Sequence, residues 1–192
     1  MTSLSERLTD YLILSGSIRE EDKDLYAFGI GQGLFIALNT ATTFLVSLYF
    51  GMVWQGFLFL LCYFSLRSYS GGYHASTPAR CYLVSTAITV LFFLLLKRSL
   101  DWPPIIMLSS GIIAVIVTVL LAPLESINKP LDALERKTYK RRSIAVLSVQ
   151  TGIGLLLYAL AQKTAASAVM LSITFVGAML LAGKLSAKEY RQ

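Results

Sequence analysis

Six long apolar stretches dominate this chain of 192 residues. They cover roughly residues 26–50, 52–66, 81–96, 105–122, 144–161 and 165–183, separated by polar breaks or by glycine and proline. Stretches close to 20 apolar residues match the length a helix needs to cross a bilayer. Residues 90–96 read Val-Leu-Phe-Phe-Leu-Leu-Leu, without the every-second-residue alternation of a membrane β-strand. In lipid every backbone group needs an internal partner, so helices are the expected form. The second stretch, taken as a helix, reaches only about 23 Å against a hydrocarbon core of about 30 Å. Its helix must continue past Arg67, or the membrane must thin there. The third is also short, so the link between them is expected to dip into the interfacial layer.

Ahead of the first stretch, Leu4, Leu8, Tyr11, Leu12 and Ile18 fall at roughly helical spacing with polar residues between them. This predicts an amphipathic helix over 4–18, lying on the membrane surface or packed on the bundle. The charged run 19–24 is a water-exposed link. Gly51 permits a tight turn, and Pro103-Pro104 suits the first turn of the fourth span. Residues 123–142 are polar and basic, with Leu131, Leu134 and Tyr139 marking a partly amphipathic surface helix. The expected fold is all-α: a polytopic integral membrane protein of six transmembrane helices plus an N-terminal amphipathic interfacial helix. It reads as one membrane-embedded domain over 1–192, with an amphipathic segment at 1–24 and polar loops at 67–80 and 123–142.

Composition agrees. The chain is 55% hydrophobic and 15% charged, with a mean hydropathy of +0.64. Its net charge of +6 would raise a nucleic-acid reading in a soluble protein. The order of charges answers otherwise. Six spans put both termini and the loops at 67–80 and 123–142 on one side, which carries 14 of the 17 Lys and Arg residues. Lys97, Arg98 and Lys163 fall on the other. The positive-inside rule makes the rich side cytoplasmic, so the bilayer, not nucleic acid, accounts for the basic excess. No apolar core lies near residue 1, so no cleavable signal peptide is expected. Two cysteines make no disulfide framework. Cys62, inside an apolar run, reads as a buried packing residue.

Most of this chain is chemically mute, and Arg67–Cys81 (RSYSGGYHASTPARC) is the exception. It holds the single histidine, His74, together with Cys81 and the only Gly-Gly pair, Gly71-Gly72. A thiolate is a nucleophile, and a neighbouring imidazole can take its proton. In an unbroken helix, residues seven apart lie about 10 Å apart along the axis, too far for a hydrogen bond. Gly71-Gly72 and Pro78 argue against an unbroken helix. Pro78 fits the first position of a helix and Thr77 its N-cap, which places Cys81 in the first turn. There the helix dipole favours the thiolate, and free N–H groups could hold an oxyanion. The competing reading is an isolated histidine and cysteine at a membrane surface. Zinc is disfavoured, because this region offers two suitable ligands where a structural site needs four.

Other sequence features are weaker. Gly29, Gly31 and Gly33 form GxGxG within an apolar helix, without the preceding strand of a nucleotide site. Gly29 and Gly33 suit close helix packing and would permit a homodimer. Arg67 is either a contact for an acidic part of a substrate or a snorkelling anchor. Ser85, one turn after Cys81, is a hydrogen-bonding candidate or a packing residue. Asn39, Gln32 and Ser70 are candidates for a third catalytic group.

The core R-x-x-x-G-G-x-H-A at 67–75, with Cys81 seven residues after His74, resembles the accessory gene regulator B family of bacterial membrane endopeptidases. Those enzymes mature quorum-sensing peptides. The acidic-then-Tyr-Gly entry to the first span (Glu20 to Gly29) fits the same family. So do Ala122-Pro123, Asn128-Lys129 and the basic segment after them, and the likeness extends over nearly the whole chain. It implies a cysteine endopeptidase with Cys81 as nucleophile and His74 as general base, in a bacterial cell membrane with both termini cytoplasmic. The 67–80 loop would then be catalytic, with Arg67, Gly71, Gly72 and Ser85 as weaker substrate-binding candidates. The implied partner is the precursor of an autoinducing peptide, cleaved through a thioester on Cys81 and cyclised to a thiolactone or lactone. No cofactor or metal is implied. The alternatives are a polytopic peptide or small-solute transporter without proteolytic activity, against which no pair of matching broken helices is visible, and a non-catalytic membrane scaffold.

Overall fold

The computed structural model describes residues 4–73, 77–99, 101–125 and 131–189, the side chains of Pro104 and residues 187–189 excepted. The described residues fold into helices: α1 (Leu4–Leu14), α2 (Lys23–Tyr49), α3 (Val53–Ser70), α4 (Pro78–Ser99), α5 (Pro104–Leu121), α6 (Ala133–Ala159) and α7 (Lys163–Glu189). A short 3-10 turn at Glu20–Asp22 precedes α2. Among the described residues four helical segments are long and apolar enough to cross a membrane: Glu20–Tyr49, Pro78–Ser99, Ala133–Ala159 and Lys163–Ser186. The apolar Ile105–Leu121 is shorter. The chain divides into two compact units, Met1–Thr42 and Thr43–Gln192.

In the first unit, α1 stops four residues before the periodic pattern does. Gly16 takes a φ of +68°, and the Gly16 and Ser17 amides turn back onto the Ile13 and Leu12 carbonyls. A left-handed glycine closing a helix in this way leaves Ile18 outside it. Leu4, Leu8, Tyr11 and Leu14 are all exposed on α1. The charged link is anchored locally by Lys23–Asp10 at 2.6 Å and Arg19–Asp22 at 3.6 Å.

In the second unit, α7 is the central helix. It packs against α3, α4, α5 and α6, and 67% of its most apolar stretch is buried, against 22% for α4 and α6. Small residues allow this. Ala166 and Ala168 are fully buried, and a Cβ on Gly154 of α6 would come within 2.8 Å of Met170. Association of helices in lipid rests on such close packing. One core cluster joins Cys62 and Leu66 to Met107, Leu147, Ile173 and Leu180. A second is aromatic: Phe92 stacks on Phe59 at 4.2 Å and also meets Phe93 and Phe175. Cys62, 7% exposed, is a packing residue, as its apolar run predicts. Gln150 of α6 adds a buried polar tie, donating to the Cys62 carbonyl and the Ser65 hydroxyl, both at 2.9 Å.

Three boundaries around the polar loops carry most of the information. α3 does continue past Arg67, to Ser70. α4 starts at Pro78, not at the apolar edge near Cys81. The surface helix expected within 123–142 and the span expected from 144 are one helix, α6. A capping box starts it: Asp132 accepts from the Glu135 amide while Glu135 accepts from the Asp132 amide. No glycine or proline follows until Gly152, so nothing stops the helix where its composition changes.

Candidate active site

The loop between α3 and α4 is built from its α3 end by Arg67. The guanidinium reaches forward from the last turn, donating to the Tyr73 carbonyl at 2.5 Å and to the Gly71 carbonyl at 3.4 Å. It also lies 5.9 Å from the centre of the Tyr63 ring. The Gly71 amide still bonds to the Arg67 carbonyl at 3.0 Å, closing the helix. Gly71 and Gly72 then take φ values of +73° and +140°, which side chains other than glycine's strongly disfavour. Arg67 therefore holds the backbone of the loop, a role the sequence reading did not include.

Two further segments fix the same turn. The Leu124 amide donates to the Ser70 carbonyl at 2.9 Å, and Leu124 forms a parallel β-bridge with Gly71. The Tyr73 amide donates to the Met179 carbonyl of α7 at 2.9 Å. Leu124 is itself held in place. Lys140 of α6 donates to the Ala122 carbonyl at 2.7 Å and also to that of Val119, and Arg136 pairs with Glu125. At least these two cations of the basic segment thus have partners inside the protein.

On the far side of the loop, α4 opens as its sequence predicts. Thr77 is the N-cap, its Oγ1 accepting from the Arg80 amide at 3.3 Å and its carbonyl from the Cys81 amide at 3.0 Å. Cys81 sits in the first turn, partly exposed and reduced. The cap changes the picture of free N–H groups. Pro78 has none, and those of Arg80 and Cys81 are engaged by Thr77.

Among the described residues the other candidates show local contacts. His74, with Ala75 and Ser76, lies outside the described residues, as do Asn128 and Lys129. Ser70 is fully buried and its hydroxyl donates to the Leu66 carbonyl. The Asn39 amide donates to the Phe35 carbonyl within α2. Ser85 lends its carbonyl to the Thr89 hydroxyl. Among the described residues no three His, Cys, Asp or Glu side chains cluster as metal ligands would. Leu124, Met179 and Gly183 touch the turn without having been singled out from the sequence. Gly183 carried only the weak signal of a glycine at the end of an apolar run.

Comparison with known proteins places this arrangement. The family model for accessory gene regulator B matches residues 5–180. AgrB-like proteins of Listeria welshimeri and Listeria monocytogenes are each 30% identical over 166 residues, covering 84% of this chain and 80% of the relative. An AgrB-like protein of Clostridium perfringens is 24% identical over 202 residues, covering 93% of this chain and 94% of its own. No solved structure matches. A family match over nearly the whole chain, spanning both the clamped Gly-Gly turn and the capped helix that carries Cys81, shows that this protein belongs to the accessory gene regulator B family.

Proposed function

We propose that this chain is a multi-pass membrane cysteine endopeptidase that cleaves a small quorum-sensing precursor peptide and promotes its cyclisation. Family membership supports peptide processing in general, and the four long apolar helices support a membrane setting. The observation that carries the cysteine mechanism is the break in the chain. α3 ends at Ser70 and α4 begins at Pro78, so no continuous helix holds residues 74 and 81 a fixed 10 Å or so apart. Two separate helices are compatible with the bend that a Cys-His pair requires, and the partly exposed Cys81 lies in the first turn of the second.

In this reading His74 takes the Cys81 proton, and the thiolate attacks a backbone carbonyl of the precursor. The C–N bond breaks as His74 returns the proton to the leaving amine. The remaining peptide is a thioester on Cys81. An internal Cys or Ser of the precursor then attacks the thioester, forming a thiolactone or lactone and releasing the Cys81 thiol. Water competes for the same thioester. A site recessed at the interface favours the ring by holding the internal nucleophile close and limiting water. All six long helices span the membrane in this reading, with the loops before α4 and α6 and both termini cytoplasmic.

The test is co-expression with a candidate precursor peptide, read by mass spectrometry. Cys81→Ala should abolish shortening of the peptide, whereas Cys62→Ala, altering a thiol packed in the core, should retain it. Equal loss in both would remove the special role of Cys81, and peptide moved across the membrane uncut would favour a transporter.

A further inference from the structure

We infer that Gly183 of α7 is a positioning residue for the general base, acting through the turn that leads into His74. The inference rests on the Cys-His reading above. Gly183 is buried, and the loop backbone lies directly on it. A Cβ at this position would come 2.8 Å from the Tyr73 nitrogen, 2.9 Å from the Gly72 carbonyl carbon and 2.7 Å from Leu124 Cδ2. Real Cβ atoms essentially never approach other heavy atoms so closely. Two of these three contacts are backbone, which cannot swing aside as the end of a side chain can.

One turn earlier on the same helix, the Met179 carbonyl receives the Tyr73 amide. Together the missing side chain at 183 and the Met179 carbonyl form a seat on α7 for Gly72-Tyr73, and His74 is the next residue. Arg67 completes the seat by binding the Gly71 and Tyr73 carbonyls. The Gly-Gly pair is therefore not a flexible hinge. It lets the backbone pass between a guanidinium and a helix where a side chain would not fit: a Cβ on Gly72 would overlap Arg67 Nη1. In physical terms α7 fixes the backbone at Tyr73, the residue that precedes His74.

The experiment uses full-length protein in detergent, in a Cys62→Ala background so that Cys81 is the sole thiol, with iodoacetamide as the probe. The pH profile of Cys81 alkylation reads the imidazole's influence on the thiol. The other charged or titratable described groups on the turn, adjoining it in the chain or on the elements packed against it are all left in place: Tyr63, Arg67 and Tyr69 of α3, Tyr73 of the turn, Arg80 and Tyr82 of α4, Glu125, and Lys184 of α7. His74→Ala should move the profile to higher pH, lowering the rate at about pH 6.5 by tenfold or more. Gly183→Ala should move it the same way, while Gly152→Ala, whose Cβ meets nothing within 4 Å, should match the parent. Gly72→Ala, which crowds the same turn from within the loop and leaves every charge in place, is the second variant should Gly183→Ala not fold, and it should shift the profile like His74→Ala.

A parent-like profile in folded Gly183→Ala overturns the inference and leaves the Cys-His reading intact. If Gly183→Ala does not fold, a parent-like profile in Gly72→Ala overturns it. A parent-like profile in His74→Ala overturns both.

Discussion

Replacing Thr77 with valine isolates the cap from everything else around Cys81. Valine has nearly the shape of threonine and keeps the backbone carbonyl that receives the Cys81 amide. It removes only the Oγ1 acceptor used by the Arg80 amide, a bond of 3.3 Å on exposed residues. Loss of an N-cap costs about 0.5–2 kcal/mol. A long bond that water can replace belongs at the low end, about 0.5–1 kcal/mol, which is roughly a two- to fivefold rise in fraying of the first turn. Pro78 limits the damage further, because its fixed φ is already helical. Hydrogen exchange at Arg80 and Cys81 in micelles should accelerate by that factor. Peptide cleavage should fall by a similar few-fold, in contrast to the complete loss expected of Cys81→Ala. Thr77→Ser should behave as the parent. Unchanged exchange in Thr77→Val would refute the view that the side chain caps α4, and complete loss of cleavage would show that Thr77 does more than cap.

Two more substitutions probe the loop and the core. Gly72→Ala combines a φ of +140° with overlap on Arg67 Nη1; strain of this kind costs about 1–3 kcal/mol. Processing should therefore drop about tenfold or more, while Gly29→Ala, with nothing within 4 Å of its Cβ, should stay near the parent in the same mass-spectrometric assay. Phe92 is fully buried at the centre of the aromatic cluster, so Phe92→Ala should destabilise the protein by about 3–5 kcal/mol. Thermal unfolding in detergent should show a clear fall in midpoint, with Leu94→Ala, on an exposed position of the same helix, near the parent.

Much of the fold was legible because long apolar runs leave the backbone little choice but helix. The start of α4 was readable for a local reason: a Thr-Pro pair is itself a helix-start signal, and it outranked the apolar edge three residues later. The start of α6 was misread because composition was taken for structure. Lys137 to Ile144 passes from charged to apolar, yet all its residues tolerate a helix, and the capping box at Asp132 and Glu135 lies well before the change. At α1 the reverse occurred: the apolar pattern ran on to Ile18, but Gly16 ended the helix.

The sequence by itself determined the helical membrane character, the chemistry available and the start of a new helix at Thr77-Pro78. These depend on composition and on signals a few residues long. Only the tertiary structure decided what Arg67, Lys140 and Gly183 do. A guanidinium beside a Gly-Gly pair reads equally well as a substrate contact or an anchor until its partners, the Gly71 and Tyr73 carbonyls, are seen. Lys140 likewise reads as one positive charge among several until it is found on the last carbonyls of α5. Gly183 lies more than a hundred residues from the turn it seats. Its role is an absence of atoms, and whether a missing side chain matters depends on which backbone passes through the space it leaves.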